Sequence, residues 1–163
     1  MTPTHAAALQ VARESFAMLR TAVDGLPDAA ADWIPAPGTN SVAVLTAHCV
    51  TGARFFYAVS SGTKGSLTGY RAGERSASFA SRTAKIPDLL VLIDSFQPEL
   101  EAILAKGDAA SLEARTSWPT EDPGEPERSG LDWLFRATGH LREHVGQAQL
   151  NRDLWNAHVA NAS

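Results

Sequence analysis

The amino-acid sequence predicts an all-α protein whose helices pack as a four-helix bundle. Four segments repeat apolar residues at alternating steps of three and four, the period of an amphipathic helix. No segment alternates convincingly with the period of two that a half-buried strand requires. Helices without strands must bury their apolar stripes against one another, which favours a bundle around one core.

The first two predicted helices have recognisable terminal signals. The first covers roughly residues 4–24 and stops at Gly25, a residue type favoured just after helix ends. The second starts after Asn40 and Ser41, either of which can cap it, and ends near Gly62. Its inward stripe consists of Leu45, His48, Gly52, Phe55 and Val59. A histidine therefore takes a core-facing position between apolar residues.

The third predicted helix opens at Pro87, a favourable first-turn residue, and runs to Lys106. Pro98 lies inside it and predicts a kink, because proline removes one hydrogen bond and crowds the preceding turn. The fourth predicted helix opens with the weak capping pair Ser129 and Asp132, and it continues to about residue 157.

The fourth helix carries two inward stripes. One consists of Trp133, Ala137, His140, His144, Gln147, Asn151 and Leu154. The neighbouring stripe consists of Leu134, Leu141, Val145, Ala148 and Trp155. One bundle core need not cover both stripes, and an exposed apolar patch usually marks a contact, so we expect a homodimer. The alternative is that helix one or three covers the second stripe within the monomer.

Two links, residues 63–86 and 108–128, are longer than the few residues that usually join antiparallel neighbours. A long link permits a crossover that leaves helices two and three pointing the same way. The first link has one acidic residue, Glu74, and an excess of basic ones: Lys64, Arg71, Arg75, Arg82 and Lys85. It is either a solvated surface or, if it folds over a site, a binding surface for an anionic thiol cosubstrate.

Composition limits the class of protein. A chain of 163 residues suits a single domain, which we place at residues 1–163. The net charge of -4 gives no general attraction to nucleic acid or to an anionic membrane. We find no apolar run near the roughly 18–20 residues of a membrane span and no secretory signal pattern. We therefore expect a soluble, cytoplasmic protein.

Three histidines form a candidate metal site. His140 and His144 are four apart, so they share one face of the helix with Cβ atoms roughly 5–6 Å apart. His48 is the only other histidine in an apolar stripe, whereas His5 lies at a frayed helix start and His158 near the C-terminus. A bundle joins inward residues of different helices, which predicts a three-histidine site with open positions for water or substrate. The alternative is three hydrogen-bonded core histidines.

The same residues allow competing interpretations. HLREH also matches H-x-x-E-H, the inverted zinc-protease motif in which Glu143 would be the general base. That family takes an acidic ligand from much further along the chain, yet Asp153 is the only acidic residue after His144 in this sequence. A solvated Glu143 is therefore the better interpretation. Cys49 is rotated about 100° from His48 around the helix, which favours a small buried residue over a catalytic thiol.

Other polar and aromatic residues accompany the histidines. Gln147 and Asn151 continue the histidine face, where they either orient a ligand or form hydrogen bonds within the bundle, and we favour the second role. Four aromatic residues could line an apolar pocket, although aromatic residues at helical spacing usually belong to a core. These residues are Trp33, Phe55, Phe56 and Trp133.

Two long segments resemble the DinB-like superfamily of bacterial four-helix proteins. They are NSVAVLTAHCVTGARFF at residues 40–56 and HLREHVGQAQLNRDL at residues 140–154. Members typically show a tryptophan-proline stretch before helix two, a histidine in that helix, and a histidine pair four apart in the last helix. This sequence has DWIPAP around Trp33, and then the histidines of helices two and four.

The resemblance implies an up-down-down-up bundle with its long crossover between helices two and three. It also implies a divalent metal, nickel or zinc most often, held by His48, His140 and His144. Many members are dimers, and some are thiol transferases or isomerases that use bacillithiol, mycothiol or glutathione. Their substrates differ, so the resemblance assigns no catalytic residue to this chain.

Three neutral imidazoles leave the full double charge on a bound ion, which lowers the pKa of a bound water or thiol. The leading functional hypothesis is a metal-dependent thiol S-transferase acting on a small electrophilic substrate. A metal-binding or stress-related protein without turnover is the alternative, followed by a metal-dependent hydrolase. An apolar pocket that opens onto the metal would favour an enzyme, and a sealed, four-coordinate metal would favour a structural role.

Overall fold

The computed structural model describes residues 1–63, 65–82, 85–118 and 120–162, and most of them are helical. The helices are α1 (Pro3–Val23), α2 (Asp28–Ala31), α3 (Val42–Ser60), α4 (Leu67–Tyr70), α5 (Ser76–Phe79), α6 (Ile86–Ala105), α7 (Ala109–Glu113) and α8 (Gly130–Ala162). A π-helical turn, Arg71–Arg75, joins α4 to α5. Two short strands, β1 (Arg115–Thr116) and β2 (Arg128–Ser129), pair antiparallel. The predicted all-α class is confirmed.

The four predicted helices correspond to α1, α3, α6 and α8, and two of the proposed caps are present. The Ser41 hydroxyl accepts a hydrogen bond from the backbone N–H of Val44, which satisfies one free donor at the start of α3. Ser129 and Asp132 form reciprocal bonds at the start of α8. Pro98 does not end α6, which continues unbroken to Ala105.

One core lies between the four long helices. α1 and α3 each pack against α6 and α8. The large residues that are fully buried come from all four helices and include Trp133, Tyr57, Phe16, Phe96, Leu19, Leu45, Ile93, Leu100 and Leu141. Burial of this apolar surface is the main force that holds the helices together.

The second stripe of α8 is covered within the chain. Leu134, Leu141 and Val145 are only 3%, 1% and 1% exposed, and Trp155 packs edge-to-face on Trp33. The expectation that this stripe needs a second subunit was therefore wrong, because the other long helices of the same chain bury it. That stripe no longer supports a homodimer.

One described helix, α3, is long and apolar enough to cross a membrane by length and composition. The sequence analysis did not single it out. Its apolar 18-residue window is 78% buried inside the protein, as the core helix of a helical domain is.

The start of α1 packs closely on the residues that follow α6, and His5 lies at this contact. The sequence placed this residue at a frayed helix start, but it is fully buried, and its Nδ1 lies 2.8 Å from the Thr2 hydroxyl that caps α1. The ring packs directly on Gly107, where a Cβ atom would overlap it. At the start of α8, a Cβ on Gly130 would overlap the backbone carbonyl of Ser111. Two glycines are thus required by close approach.

We predict that Gly130→Ala lowers the free energy of unfolding by roughly 1–3 kcal/mol, because a backbone carbonyl must move to admit the methyl group. Gly139→Ala on the same helix is the matched control. Its Cβ would meet nothing within 4 Å, so the better helix propensity of alanine should raise stability by about 1 kcal/mol. Urea denaturation measures both variants, and equal stabilisation would show that the α8 start is not tightly packed.

Candidate metal centre

Helices α3 and α8 bring the three predicted histidines into one cluster. Each of His48, His140 and His144 offers a nitrogen, and these three atoms lie within 4.8 Å of one another. His48 is only 3% exposed, and the other two rings are half-buried. The prediction that the three residues meet is therefore correct.

Hydrogen bonds orient two of the rings. The Ser78 hydroxyl donates to the Arg75 carbonyl at 2.7 Å, so its oxygen is free to accept from His48 Nδ1 at 3.2 Å. His144 Nδ1 lies 2.9 Å from Gln147 Oε1, which can only accept. Both rings therefore carry their proton on Nδ1 and have an Nε2 lone pair available. Such partners are typical of metal-binding histidines.

Gln147 forms a hydrogen bond within the bundle, as the favoured expectation has it, and because its partner is a histidine of the cluster it also orients that ring. Asn151 does bond within the fold, because its amide donates to the Asn40 carbonyl at 2.7 Å. Ser78 was missed by the sequence analysis. It lies in a link that was not predicted to be helical, and a serine there carries no recognisable signal.

The third ring, His140, depends on a glycine in α3. A Cβ on Gly52 would lie 2.6 Å from His140 Cε1, so only glycine lets this ring pack against α3. His140 Nε2 is 3.1 Å from His48 Nε2. Two nitrogens bound tetrahedrally to one ion at about 2.0–2.1 Å would be roughly 3.3 Å apart, so the observed spacing fits a shared ion. Imidazole donors suit zinc, nickel, copper and iron.

Burial keeps two of the rings neutral. It is the main cause that lowers the pKa of His48 to about 4, with further contributions from the charges of His144 and Arg75. Burial also lowers the pKa of His140 to about 3, helped by the charges of the neighbouring histidines and of Arg136 and Arg75. At neutral pH both imidazoles are therefore uncharged, with one ring nitrogen free of a proton, and this is the form that binds a metal ion.

A cavity of about 540 Å³ opens onto the cluster. Of the four aromatic residues considered from the sequence, Phe56 and Trp133 lie in its wall. Phe55 does not line the cavity but stacks on Tyr70, and Trp33 packs against Trp155 instead. The wall also contains Tyr70, Phe79 and Arg136, which the sequence analysis did not assign to a site. A cavity thus opens onto the histidines, but charged as well as aromatic residues line it, so it is not the apolar pocket that was expected of an enzyme.

The first link folds over this cavity, as α4, the π-helical turn and α5. Arg71 and Arg75 line the cavity wall, whereas Arg82 and Lys85 do not, and Lys64 lies outside the described residues. The spacing of Leu67 and Tyr70, two large apolar residues three positions apart, is the sequence signal that could have indicated α4. Both side chains are buried in the structure. Two basic residues of the link therefore lie at the cavity wall.

Two remaining candidates are resolved by their surroundings. Cys49 is fully buried, and burial raises the pKa of its thiol to about 12, so it has the structural role that its helix position predicted. Glu143 is exposed, as expected, but it also lines the cavity, which periodicity alone did not indicate.

The fold and the cluster define a mostly helical protein with a candidate metal centre between two helices. A family model described as the DinB superfamily matches residues 12–148, and the chain belongs to this superfamily. The match covers most of the chain and includes all three histidines. A search of curated proteins finds no match.

We predict that the metal-free protein loses stability as the pH falls from about 6.5 to about 4. Unfolded imidazoles take up protons near their reference pKa, whereas folded His48 and His140 resist protonation until about pH 4 and pH 3. The unfolded state then binds more protons, so the free energy of unfolding decreases by at most about 1.4 kcal/mol per pH unit for each ring.

Urea denaturation at several pH values measures this dependence. His140→Gln should flatten it, because one buried imidazole is removed, and His158→Gln, at an exposed position, should leave it unchanged. An identical pH dependence in all three proteins would contradict the assignment to the buried rings.

Proposed function

We propose that this protein is a divalent-metal-dependent thiol S-transferase that acts on a small electrophile. The supporting observation is the convergence of three imidazoles, those of His48, His140 and His144, in the wall of a cavity large enough for a substrate. We propose nickel or zinc as the ion and a low-molecular-weight thiol of the bacillithiol, mycothiol or glutathione type as the cosubstrate. A bound divalent ion would supply positive charge that lowers the pKa of a thiol in the cavity.

The chain's own residues would prepare the reaction. Ser78 and Gln147 orient two of the rings, and the aromatic side chains of the cavity wall limit the access of water. In the transfer, the thiol loses its proton to solvent and its sulfur forms a C–S bond with the electrophilic carbon. The bond from that carbon to the leaving group breaks, and the leaving group departs with the electron pair.

Two other functions use the same site. A metal-binding or stress-related protein without turnover needs the three histidines but no cavity, so the cavity favours an enzyme. A metal-dependent hydrolase is supported by Glu143, which lines the cavity beside the histidines and could accept a proton from water. Thiol transfer remains the leading proposal.

We further propose that residues 1–163 form one domain, a four-helix bundle with an up-down-down-up path. Ion pairs support opposite directions for α1 and α6, because Arg13 meets Glu101 and the later Arg20 meets the earlier Asp94. A shared direction of α1 and α8 is supported by pairs that advance together along both helices. These pairs are Glu14 with Arg142 and Thr21 with Arg152.

Contacts between α3 and α8 support opposite directions for these two helices. Asn40, just before α3, meets Asn151 late in α8, whereas Tyr57 near the end of α3 meets Thr138 early in α8. Taken with the pairs of α1, these contacts leave α3 and α6 pointing the same way. The long link between them would then be the crossover.

We also propose a homodimer, now through a different surface from the buried stripe. Phe135 on α8 is 70% exposed beside an apolar groove between α1 and α8, and a large exposed aromatic residue of this kind often marks a contact. Light scattering should give the dimer mass, and Phe135→Glu should give the monomer. Val91→Glu, on an exposed position of α6, should remain dimeric. A monomeric mass for the wild type at low concentration would reject the dimer.

We predict that His48→Gln, His140→Gln or His144→Gln each removes stoichiometric nickel or zinc, whereas His158→Ala does not. Elemental analysis of untagged protein measures the metal content. In the wild type, a metal concentration of about 100 times its dissociation constant should stabilise the fold by roughly 2.7 kcal/mol. Full metal occupancy in any of the three histidine variants would exclude that residue as a ligand.

The same protein tests the reaction class. Addition of a small thiol to the cobalt form should change its absorption spectrum, because thiol sulfur would join the three imidazoles. If no thiol changes the spectrum of a protein that retains its metal, the transferase proposal fails. The three-histidine metal site would stand independently of that result.

A further inference from the structure

Three arginines surround the cavity from two sides. Arg71 and Arg75 come from the π-helical turn, and Arg136 comes from α8 one helical turn before His140. Arg71 is committed to an ion pair with Asp122 at 2.6 Å. Within the described ranges, Arg75 and Arg136 have no carboxylate partner. Two guanidinium groups therefore reach the cavity with hydrogen-bond donors to spare.

Aromatic rings of the cavity wall hold these two guanidinium groups. The Arg75 guanidinium carbon lies 4.8 Å from the centre of the Phe79 ring, and that of Arg136 lies 5.7 Å from the Trp133 ring. A guanidinium over an aromatic face still has its N–H edge free for an anion, and its position is restrained in advance. Both arginines are thus prepared for a ligand.

The charge balance of the cavity favours one negative charge. Glu125 is neutralised by Arg128 at 3.0 Å, which leaves Glu143 as the one lining carboxylate without an ion-pair partner in the part of the chain described. Apart from a bound divalent ion, whose charge a thiol sulfur would offset in part, two free guanidinium groups against one carboxylate leave a single positive charge. A substrate carboxylate would neutralise this side-chain charge.

We propose that Arg75 and Arg136 form a carboxylate-binding subsite beside the histidine cluster. The subsite takes the carboxylate of a substrate, carried either by the thiol or by the electrophile. As a substrate subsite it rests on the proposed transferase function, but carboxylate binding can be tested without it.

Three thiols with the same two-methylene spacer provide the test: 3-mercaptopropionate, 2-mercaptoethanol and cysteamine. They end in a carboxylate, a hydroxyl and an ammonium group. Their dissociation constants are measured from the absorption of the cobalt-loaded protein. We expect the wild type to prefer the carboxylate over the hydroxyl, and to bind cysteamine most weakly. Comparison of each variant with the wild type cancels the intrinsic differences between the thiols.

Arg75→Gln and Arg136→Gln should each reduce the preference for 3-mercaptopropionate by roughly tenfold, with little change for 2-mercaptoethanol. Arg142→Gln is the matched control, because it removes the same charge from α8 at a residue that contacts Met18 and Glu14 instead of the cavity. Glu143→Gln should increase the preference, since it removes the opposing charge. This opposite effect does not depend on the arginine variants being well folded.

An unchanged preference in both arginine variants would overturn the proposal, since it would indicate that the carboxylate binds the metal directly. The absence of a preference in the wild type would overturn it as well. If no thiol changes the cobalt spectrum, the transferase function fails, and the subsite is then tested with propionate alone. Tryptophan fluorescence should report propionate binding, because Trp133 lines the cavity. Either arginine substitution should weaken this binding, and the absence of binding would reject the subsite.

Propionate also identifies the molecule that carries the carboxylate. If propionate binds together with 3-mercaptopropionate, the thiol leaves the subsite free, and the subsite serves the electrophile. If propionate competes with 3-mercaptopropionate but not with 2-mercaptoethanol, and this competition requires Arg75 and Arg136, the thiol carries the carboxylate. Either result supports a carboxylate subsite.

Discussion

The contact of three imidazoles across α3 and α8 is the constraint on which the rest of the site depends. Buried polar rings destabilise a core unless each nitrogen finds a partner. Two rings are satisfied at Nδ1 by Ser78 and Gln147, and their remaining nitrogens face one another. This arrangement leaves lone pairs converging at one point, so the same bonds that make burial tolerable also prepare a metal site.

The link between α3 and α6 connects this cluster to the cavity. Ser78 accepts from His48 and donates to the backbone carbonyl of Arg75, so one hydroxyl fixes both a ring of the cluster and the end of the π-helical turn. Single π-helical turns occur frequently at functional sites. Here the turn places two arginines on the cavity wall, and Phe79 just beyond it packs on His48 with ring centres 4.5 Å apart.

The differences between expectation and structure have definite physical causes. Helix periodicity shows which face is apolar but not which neighbour covers it, so the second stripe of α8 was assigned to a dimer that the other helices of the same chain make unnecessary. Position near a terminus predicted a frayed His5, yet Thr2 caps the helix there and the Gly107 backbone leaves room for the ring. A long basic link was left undecided because its charge is equally compatible with solvent and with a site.

The sequence by itself determined the four long helices, the caps of α3 and α8 and the set of three inward histidines. These properties follow from local spacing, because the helix period places His140 above His144 and His48 on an apolar stripe. Only the tertiary structure decided which partners orient the rings, that Gly52 admits His140, and that Arg75 and Arg136 meet at one cavity. Such contacts join residues far apart in the chain, and their geometry depends on how whole helices pack rather than on any local pattern.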